Sequence, residues 1–375
     1  MHPTWLEIDV SAIAHNCACI RRDTGTALMA VVKGEAYGHG AVEVARAAVE
    51  GGAAWLGVAR CGEAMALRQG GIGAPVLVLG TATPPEVDAA MAEDVTLTLH
   101  GEEILQLYAA RAKAAGRKLK VHLKLDTGLG RLGVLPEDAV AFAGRVKREP
   151  WLEVDGVFSH LSAAEEDDPL NALQADRFET ALAALAGNGL RPRWAHLANS
   201  AAAFLMPRTR HDLVRVANVV VGVRIRPDLP LPACYRPAMT WKARLASCRR
   251  LPAGWGVGYG HTYHTAGEEL IGVVPVGYGD GLKRVPGHTV LVGGQRCPVV
   301  GRLCLDQLMV RLPQPFPIGE EVVLIGRQGR EEIRLHDLAI LCATSQVDCS
   351  TSIHARVPRI YLRPAQPGPT TETSS

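Results

Sequence analysis

Apolar residues recur along the first 220 positions in two alternating rhythms. Short β-branched or Leu-rich runs fall at Leu28–Lys33, Trp55–Ala59, Pro75–Leu79, Val95–Leu99, Leu119–Asp126, Val154–His160, Trp194–Asn199 and Leu213–Val216. Between them lie stretches whose apolar residues sit three and four apart, as in Val42, Ala45 and Val49, in Ile104, Leu107 and Tyr108, or in Phe178, Leu182 and Leu185. The first rhythm predicts strands and the second helices. Strand and helix alternating eight times predict a parallel α/β sheet. Eight units in so short a length fit a closed (β/α)8 TIM-like barrel better than an open doubly wound sheet. A strand at Trp5–Val10 and a helix from about Ser11 precede the eight and stand outside that count.

The rhythm changes after about Tyr235. Met239–Ser247, Leu270–Val276, Thr289–Val292, Cys297–Val300, Leu308–Leu312 and Val322–Ile325 read as strands, and Gly293-Gly294 is a tight hairpin signal. One short helical piece is expected near His336–Cys342. The predicted organisation is therefore a barrel over residues 1–234, a mainly β C-terminal domain over 235–363, and a disordered tail over 364–375 (PAQPGPTTETSS).

Composition narrows the class. The chain has 375 residues, 47% hydrophobic and 21% charged, which is globular. Forty basic against 38 acidic residues leave +2, so nothing here favours nucleic acid or an anionic membrane as partner. The longest charge-free stretch, Gln69–Pro85, is broken by Gly and Pro and is too short to span a bilayer. The start has neither a basic n-region nor an apolar h-region, so no signal peptide is expected. Nine scattered Cys suggest reduced thiols and a cytoplasmic home.

Barrel chemistry gathers at the carboxyl ends of the strands, with phosphate often held after strands 7 and 8. Those ends carry Lys33, the Asp126–Arg131 loop, Ser159-His160, Asn199-Ser200 and Arg215. No carboxylate cluster suits a metal. A strand-end lysine in an apolar setting loses pKa and becomes a nucleophile for a carbonyl. Beside a phosphate site that points to pyridoxal phosphate, against the alternative of a salt-bridged rim lysine. On the fifth strand, alternation turns His122, Lys124 and Asp126 inward. A buried lysine there needs a partner such as Asp126, or neutralisation.

Several features carry bland explanations. His261 and His264 have metal-like spacing but no third ligand nearby, Cys17 and Cys19 lie in a helical pattern as packing residues, and His39 reads as a loop or capping residue.

The segment VVKGEAYGHG (Val31–Gly40) resembles the signature of the alanine racemase family. So do Leu123–Gly133, Phe158–His160, His196–Ala201, Met239–Arg244, Gly258–Thr262, Pro275–Gly281, Val300–Gln307 and Arg356–Tyr361, nine segments in family order. The resemblance implies a pyridoxal phosphate-dependent racemase working as a homodimer with shared sites. Lys33 is then the cofactor-binding lysine and one base, and Tyr259 of the partner subunit is the other. Arg215 would face the pyridine nitrogen, His196 would orient it, and His160 would pack by the ring. Arg131 would hold the phenolic oxygen and the substrate carboxylate. Tyr37, Asn199, Ser200, Ala217 and Asn218 would hold the cofactor at its phosphate end. Tyr278, Cys304, Leu305, Asp306 and Ala355 would line the substrate pocket, and Lys124 would carry a carbamate.

The chain departs from the family's pattern in four places. Gly34-Glu35 replaces Ala-Asn. Ala217, Asn218 and Val221-Gly222 replace a Gly, an aliphatic residue and a Tyr-Gly pair. Leu305 replaces Met, and Ala355 replaces a pocket tyrosine. Alanine is the expected substrate, with serine or broader specificity as the alternative. A non-catalytic cofactor carrier lacks a second domain, and a decarboxylase of this fold group carries an acid at the pyridine nitrogen, so both fit less well.

Overall fold

The computed structural model describes residues 2–226, 228–229 and 232–363; the tail expected to be disordered lies outside them. The chain forms two compact units interleaved in sequence. The barrel unit is Ile13–Pro237 with Leu335–Ile353; the β unit takes residues up to Ala12, Ala238–Arg334 and the segment from His354.

The barrel strands are β1 (Ala27–Val31), β2 (Trp55–Val58), β3 (Val76–Val78), β4 (Thr96–Leu99), β5 (Leu119–Lys124), β6 (Leu152–Phe158), β7 (Trp194–His196) and β8 (Leu213–Val216). Parallel ladders join β1 through β7 in order and pair β8 with β1. Between β7 and β8 there is no ladder. Single bonds close the seam, Asp212 N–H donating to Ala195 O at 3.0 Å and Arg215 N–H to Ala198 O at 3.0 Å. All eight strands lie where the short apolar runs fall, because both faces of a barrel strand are buried.

The helices are also where the 3.6 period puts them; Pro169–Gly187 buries Phe178 and Leu185 as expected, but in the two earlier helices the buried face is rotated. In Ala41–Glu50 the buried residues are Ala41, Val44, Ala45, Ala47 and Ala48, while Val49 is exposed. In Glu102–Ala115 they are Leu105, Tyr108, Ala109 and Ala112. Helix Pro84–Ala92 starts with a capping box of Thr83 and Glu86 and has proline in its first turn.

The β unit corrects the expected boundaries. Thr4–Asp9 pairs antiparallel with Met239–Arg244 and parallel with Arg359–Leu362, so it belongs to this sheet and not to a barrel domain of residues 1–234. The expected strand Met239–Ser247 is two, Met239–Arg244 and Ser247–Leu251. Thr289–Val292 and Gln295–Val300 form the expected hairpin through Gly293 and Gly294, both at positive φ. The short helix Leu335–Leu341 is followed by a second, Gln346–Thr351, and both join the barrel unit.

Candidate active site

At the carboxyl ends of the barrel strands lies a cavity of about 210 Å³. Lys33, Tyr37, Lys124, Arg131, His160, Asn199, Ser200, Arg215, Ala217 and Asn218 all line it, with Val31, Leu79, Phe158, Glu165 and Ala201.

Lys33 follows β1 and opens a left-handed turn. Gly34, Glu35, Ala36 and Tyr37 have φ of 59°, 55°, 48° and 57°. Three of these are not glycine, and at about 1–2 kcal/mol each the turn holds roughly 3–6 kcal/mol of strain. Specific bonds offset it. Glu63 accepts from Gly34 N–H at 2.7 Å, Glu35 from Ala41 N–H at 3.1 Å, and the buried His39 donates from Nδ1 to Ala36 O and Tyr37 O, each at 3.0 Å. Gly38 closes the turn at φ 87°, where a Cβ would lie 2.2 Å from Ser350 O. The turn therefore has one permitted course, and Lys33 has one point of departure. Burial pushes the Lys33 ammonium below its usual pKa; Arg131 adds to this and Glu63 opposes it. Burial and Glu63 push the Tyr37 phenol up to about 12, so it stays a hydrogen-bond donor.

Arg215 on β8 is buried, and burial lowers its pKa to about 9. One terminal nitrogen donates to His196 Nδ1 at 3.0 Å and His196 O at 2.9 Å. The other donates to Ser159 O at 2.7 Å and Leu197 O at 3.0 Å, with His160 Nδ1 at 3.2 Å. Both terminal nitrogens are thus committed to the protein, and among the described residues the hydrogen bonds of the guanidinium come from those two nitrogens and not from Nε. His160 is held neutral, pushed down to about 3 by burial and then by Arg215, Arg131, Lys124 and Lys33.

Lys124 is 4% exposed. Its pKa falls to about 8, first through burial, then through Arg131 and Arg215, with Asp126 opposing. The pairing with Asp126 is not made. Asp126 instead accepts from the N–H groups of Gly128, Leu129, Gly130 and Arg131 at 2.9–3.1 Å. Among the described residues Lys124 has no ion pair; its ammonium lies 5.4 Å from the Phe158 ring centre.

At the opposite rim Ser200 Oγ accepts from Ala217 N–H at 2.9 Å, which leaves its own proton to donate elsewhere. The Asn199 side chain caps the helix Ser200–Leu205 by accepting from Ala202 N–H at 3.1 Å.

The remaining expected residues lie on the β unit and do not line this cavity. Tyr278 N–H donates to Cys304 O at 3.1 Å, and Arg356, next to Ala355, bridges Asp280 and Asp306 at 2.8 Å each. Tyr278, Cys304, Leu305, Asp306 and Ala355 thus belong to one loop cluster. Tyr259 is 68% exposed. Sequence reasoning missed Phe158, Glu63 and Glu165. Phe158 was accessible in principle, since it shares the inward alternation of its strand with His160; Glu63 carried no local signal.

The N-terminal domain model of alanine racemase matches residues 8–224, and the C-terminal domain model matches 238–361. The chain is 45% identical to an alanine racemase of Symbiobacterium thermophilum, over 96% of this chain and 97% of that one. It is 42% identical to an alanine racemase of Geobacillus kaustophilus, over 96% and 94%. The crystal structure of alanine racemase from D-cycloserine-producing Streptomyces lavendulae superposes with a TM-score of 0.91 at 40% identity, covering 97% of this chain and 98% of that one. With both domain models matched in chain order and relatives similar from end to end, the chain belongs to the alanine racemase family.

Proposed function

We propose that this chain interconverts L- and D-alanine in the cytoplasm with pyridoxal phosphate as cofactor, as a homodimer whose sites are shared. The observation that carries the proposal is the convergence on one cavity of an amine of lowered pKa, a buried guanidinium with one free N–H, and protonated hydroxyl donors.

The donor set fits that group. Lys33 supplies the amine for its aldehyde. Tyr37 and Ser200 have protons to give a phosphate, and the Arg215 Nε–H can donate to a pyridine nitrogen. When bound, the cofactor supplies the electron sink that acidifies the substrate's α-C–H. Arg215 donates a hydrogen bond without surrendering its proton, since even at about 9 its pKa exceeds that of a pyridine. Arg215 would thus leave a bound pyridine nitrogen unprotonated and its electron withdrawal moderate, a setting suited to returning the proton to the α-carbon. Arg131, on the loop braced by Asp126, serves the substrate carboxylate.

Racemisation removes a proton from one face and delivers one to the other, so it needs an acid–base group on each side. Lys33 is the base on the barrel side. Tyr259, exposed on the β unit, serves from the partner subunit. Borohydride reduction of the holoenzyme followed by peptide mapping is expected to place the pyridoxyl label on Lys33, with loss of alanine racemisation. A label on another lysine, or no racemisation by the untreated enzyme, refutes the proposal.

A further inference from the structure

The barrel core contains a line of polar groups that the chemistry above does not use. His196 Nε2 lies 2.9 Å from His122 Nδ1, and both imidazoles are fully buried. His122 Nε2 lies 3.9 Å from Asp155 Oδ2 and, among the described residues, has no hydrogen-bond partner. Asp155 is the middle residue of β6, three residues before Phe158 at the strand's carboxyl end, so the line runs from the site end of the barrel back along the strands.

The barrel is built around this line. The β5–β6 register shifts between Val121 and His122, and the residue opposite is Gly156, where a Cβ would lie 2.6 Å from the His122 ring. Trp55 packs on His122 at 5.0 Å between ring centres, and Phe158 stacks on His196 at 4.8 Å with 2° between planes. Neither imidazole has room to turn.

Arginine only donates. His196 Nδ1 must therefore accept from Arg215, and its proton sits on Nε2. That N–H donates to His122 Nδ1, so the His122 proton sits on Nε2 and points at Asp155. Burial holds both imidazoles neutral. The proton positions of the whole line are thus dictated from both ends, by a donor-only cation and by a carboxylate. Arg215 itself has no carboxylate partner among the described residues; its other acceptors are carbonyls and His160. A buried cation without a counter-charge is expensive.

Building on the racemase assignment, we infer that His122 and Asp155 are positioning residues for Arg215. Asp155 acts as its remote counter-charge, and the two imidazoles pass that polarisation along one fixed direction of N–H bonds, holding the guanidinium in place with its Nε–H facing the cavity.

The test uses histidine-15N-labelled holoenzyme. In the wild type both His122 and His196 are expected as neutral Nε2–H tautomers. In Asp155→Asn, the His122 signals should move toward a tautomer mixture. The kcat for alanine should fall about 10-fold, the lower end for losing a carboxylate that orients a functional histidine, while KM stays within about twofold. Asp155→Glu should restore most of kcat. A merely structural Asp155 would change thermal stability and leave kcat and the tautomers alone. An Nδ1–H tautomer at either histidine in the wild type overturns the inference, as does wild-type kcat in a folded Asp155→Asn. The wild-type spectrum needs no variant, so a misfolded mutant does not shield the inference. Failure of the wild type to racemise alanine would strike the function proposed above, while the tautomer spectrum still judges the line of histidines.

Discussion

Lys124 offers the sharpest quantitative test. An ordinary lysine at about pH 7.5 is free amine in about one molecule per thousand. With its pKa brought from 10.5 to about 8 by burial, Arg131 and Arg215, about a quarter of Lys124 is free amine at that pH, some 200-fold more. The free amine is the form that adds carbon dioxide, gaining a carboxylate and releasing one proton. The product is an anion among Lys33, Arg131 and Arg215, where Asp126 is already saturated by four backbone N–H bonds. An anion there can clamp Arg131 through charge-assisted bonds. Their loss is expected to cost about 1.5–3 kcal/mol, roughly 10–150-fold. Lys124→Gln should therefore lower kcat/KM for alanine by that factor, measured by chiral chromatography. Wild-type enzyme equilibrated with 13C-bicarbonate should show a carbamate resonance that Lys124→Gln lacks. Full kcat/KM in Lys124→Gln, or no carbamate resonance in the wild type, refutes the reasoning.

Three other outcomes are expected. Tyr259→Phe should slow proton removal from one alanine enantiomer by about 10²–10⁴-fold, and mixing it with Lys33→Ala chains should regain activity in heterodimers; no regain means the sites are not shared. Ala355→Tyr should raise the alanine-to-serine ratio of kcat/KM by about 10–200-fold, and an unchanged ratio removes Ala355 from the pocket wall. His160, His196 and His122 are all held neutral in the fold below their ordinary value of 6.5, His160 down to about 3. The unfolded chain therefore binds protons first as pH falls through 6.5 toward 3, and urea midpoints should drop across that window and stay level just above it, whereas level midpoints from pH 7.5 to 4.5 contradict the burial of neutral imidazoles.

What was legible in the sequence followed from local rules. The eight barrel strands showed because each is a short apolar run, and the hairpin at Gly293-Gly294 showed because its turn needs two positive φ values. Long-range pairing was not legible. The strand Thr4–Asp9 has an ordinary pattern, and only its partners more than 230 residues away assign it to the β unit. In the site, alternation on β5 turned His122 and Lys124 inward, where Lys124 lines the cavity and His122 meets His196. It misplaced Asp126, because the strand ends at Lys124 and the carboxylate then serves the next loop. The bond from Gly34 to Glu63, in the first turn of the helix Cys61–Gln69, and the approach of His122 to Asp155 join segments about 30 residues apart, and no single segment encodes that.

The departures at Gly34-Glu35, Ala217 and Gly222 sit where the main chain determines geometry. Ala217 takes φ −117°, open to any residue, and its contribution to the rim is an N–H bond to Ser200 rather than a side chain. Gly222 keeps the glycine that the fold demands there, with φ 72° and a Cβ that would lie 2.0 Å from Arg236 O. Gly34 and Glu35 compensate one another inside the left-handed turn. Asparagine enters that conformation more readily than glutamate does, so Glu35 adds strain where the family has Asn. Glycine in place of alanine at position 34 removes about 1–2 kcal/mol of it. The longer Glu35 side chain recovers more by reaching forward to accept from Ala41 N–H at 3.1 Å, which ties the turn to the start of the next helix. The pair therefore changes together without moving Lys33, and Gly34→Ala alone should strain the turn more than Gly34→Ala combined with Glu35→Asn.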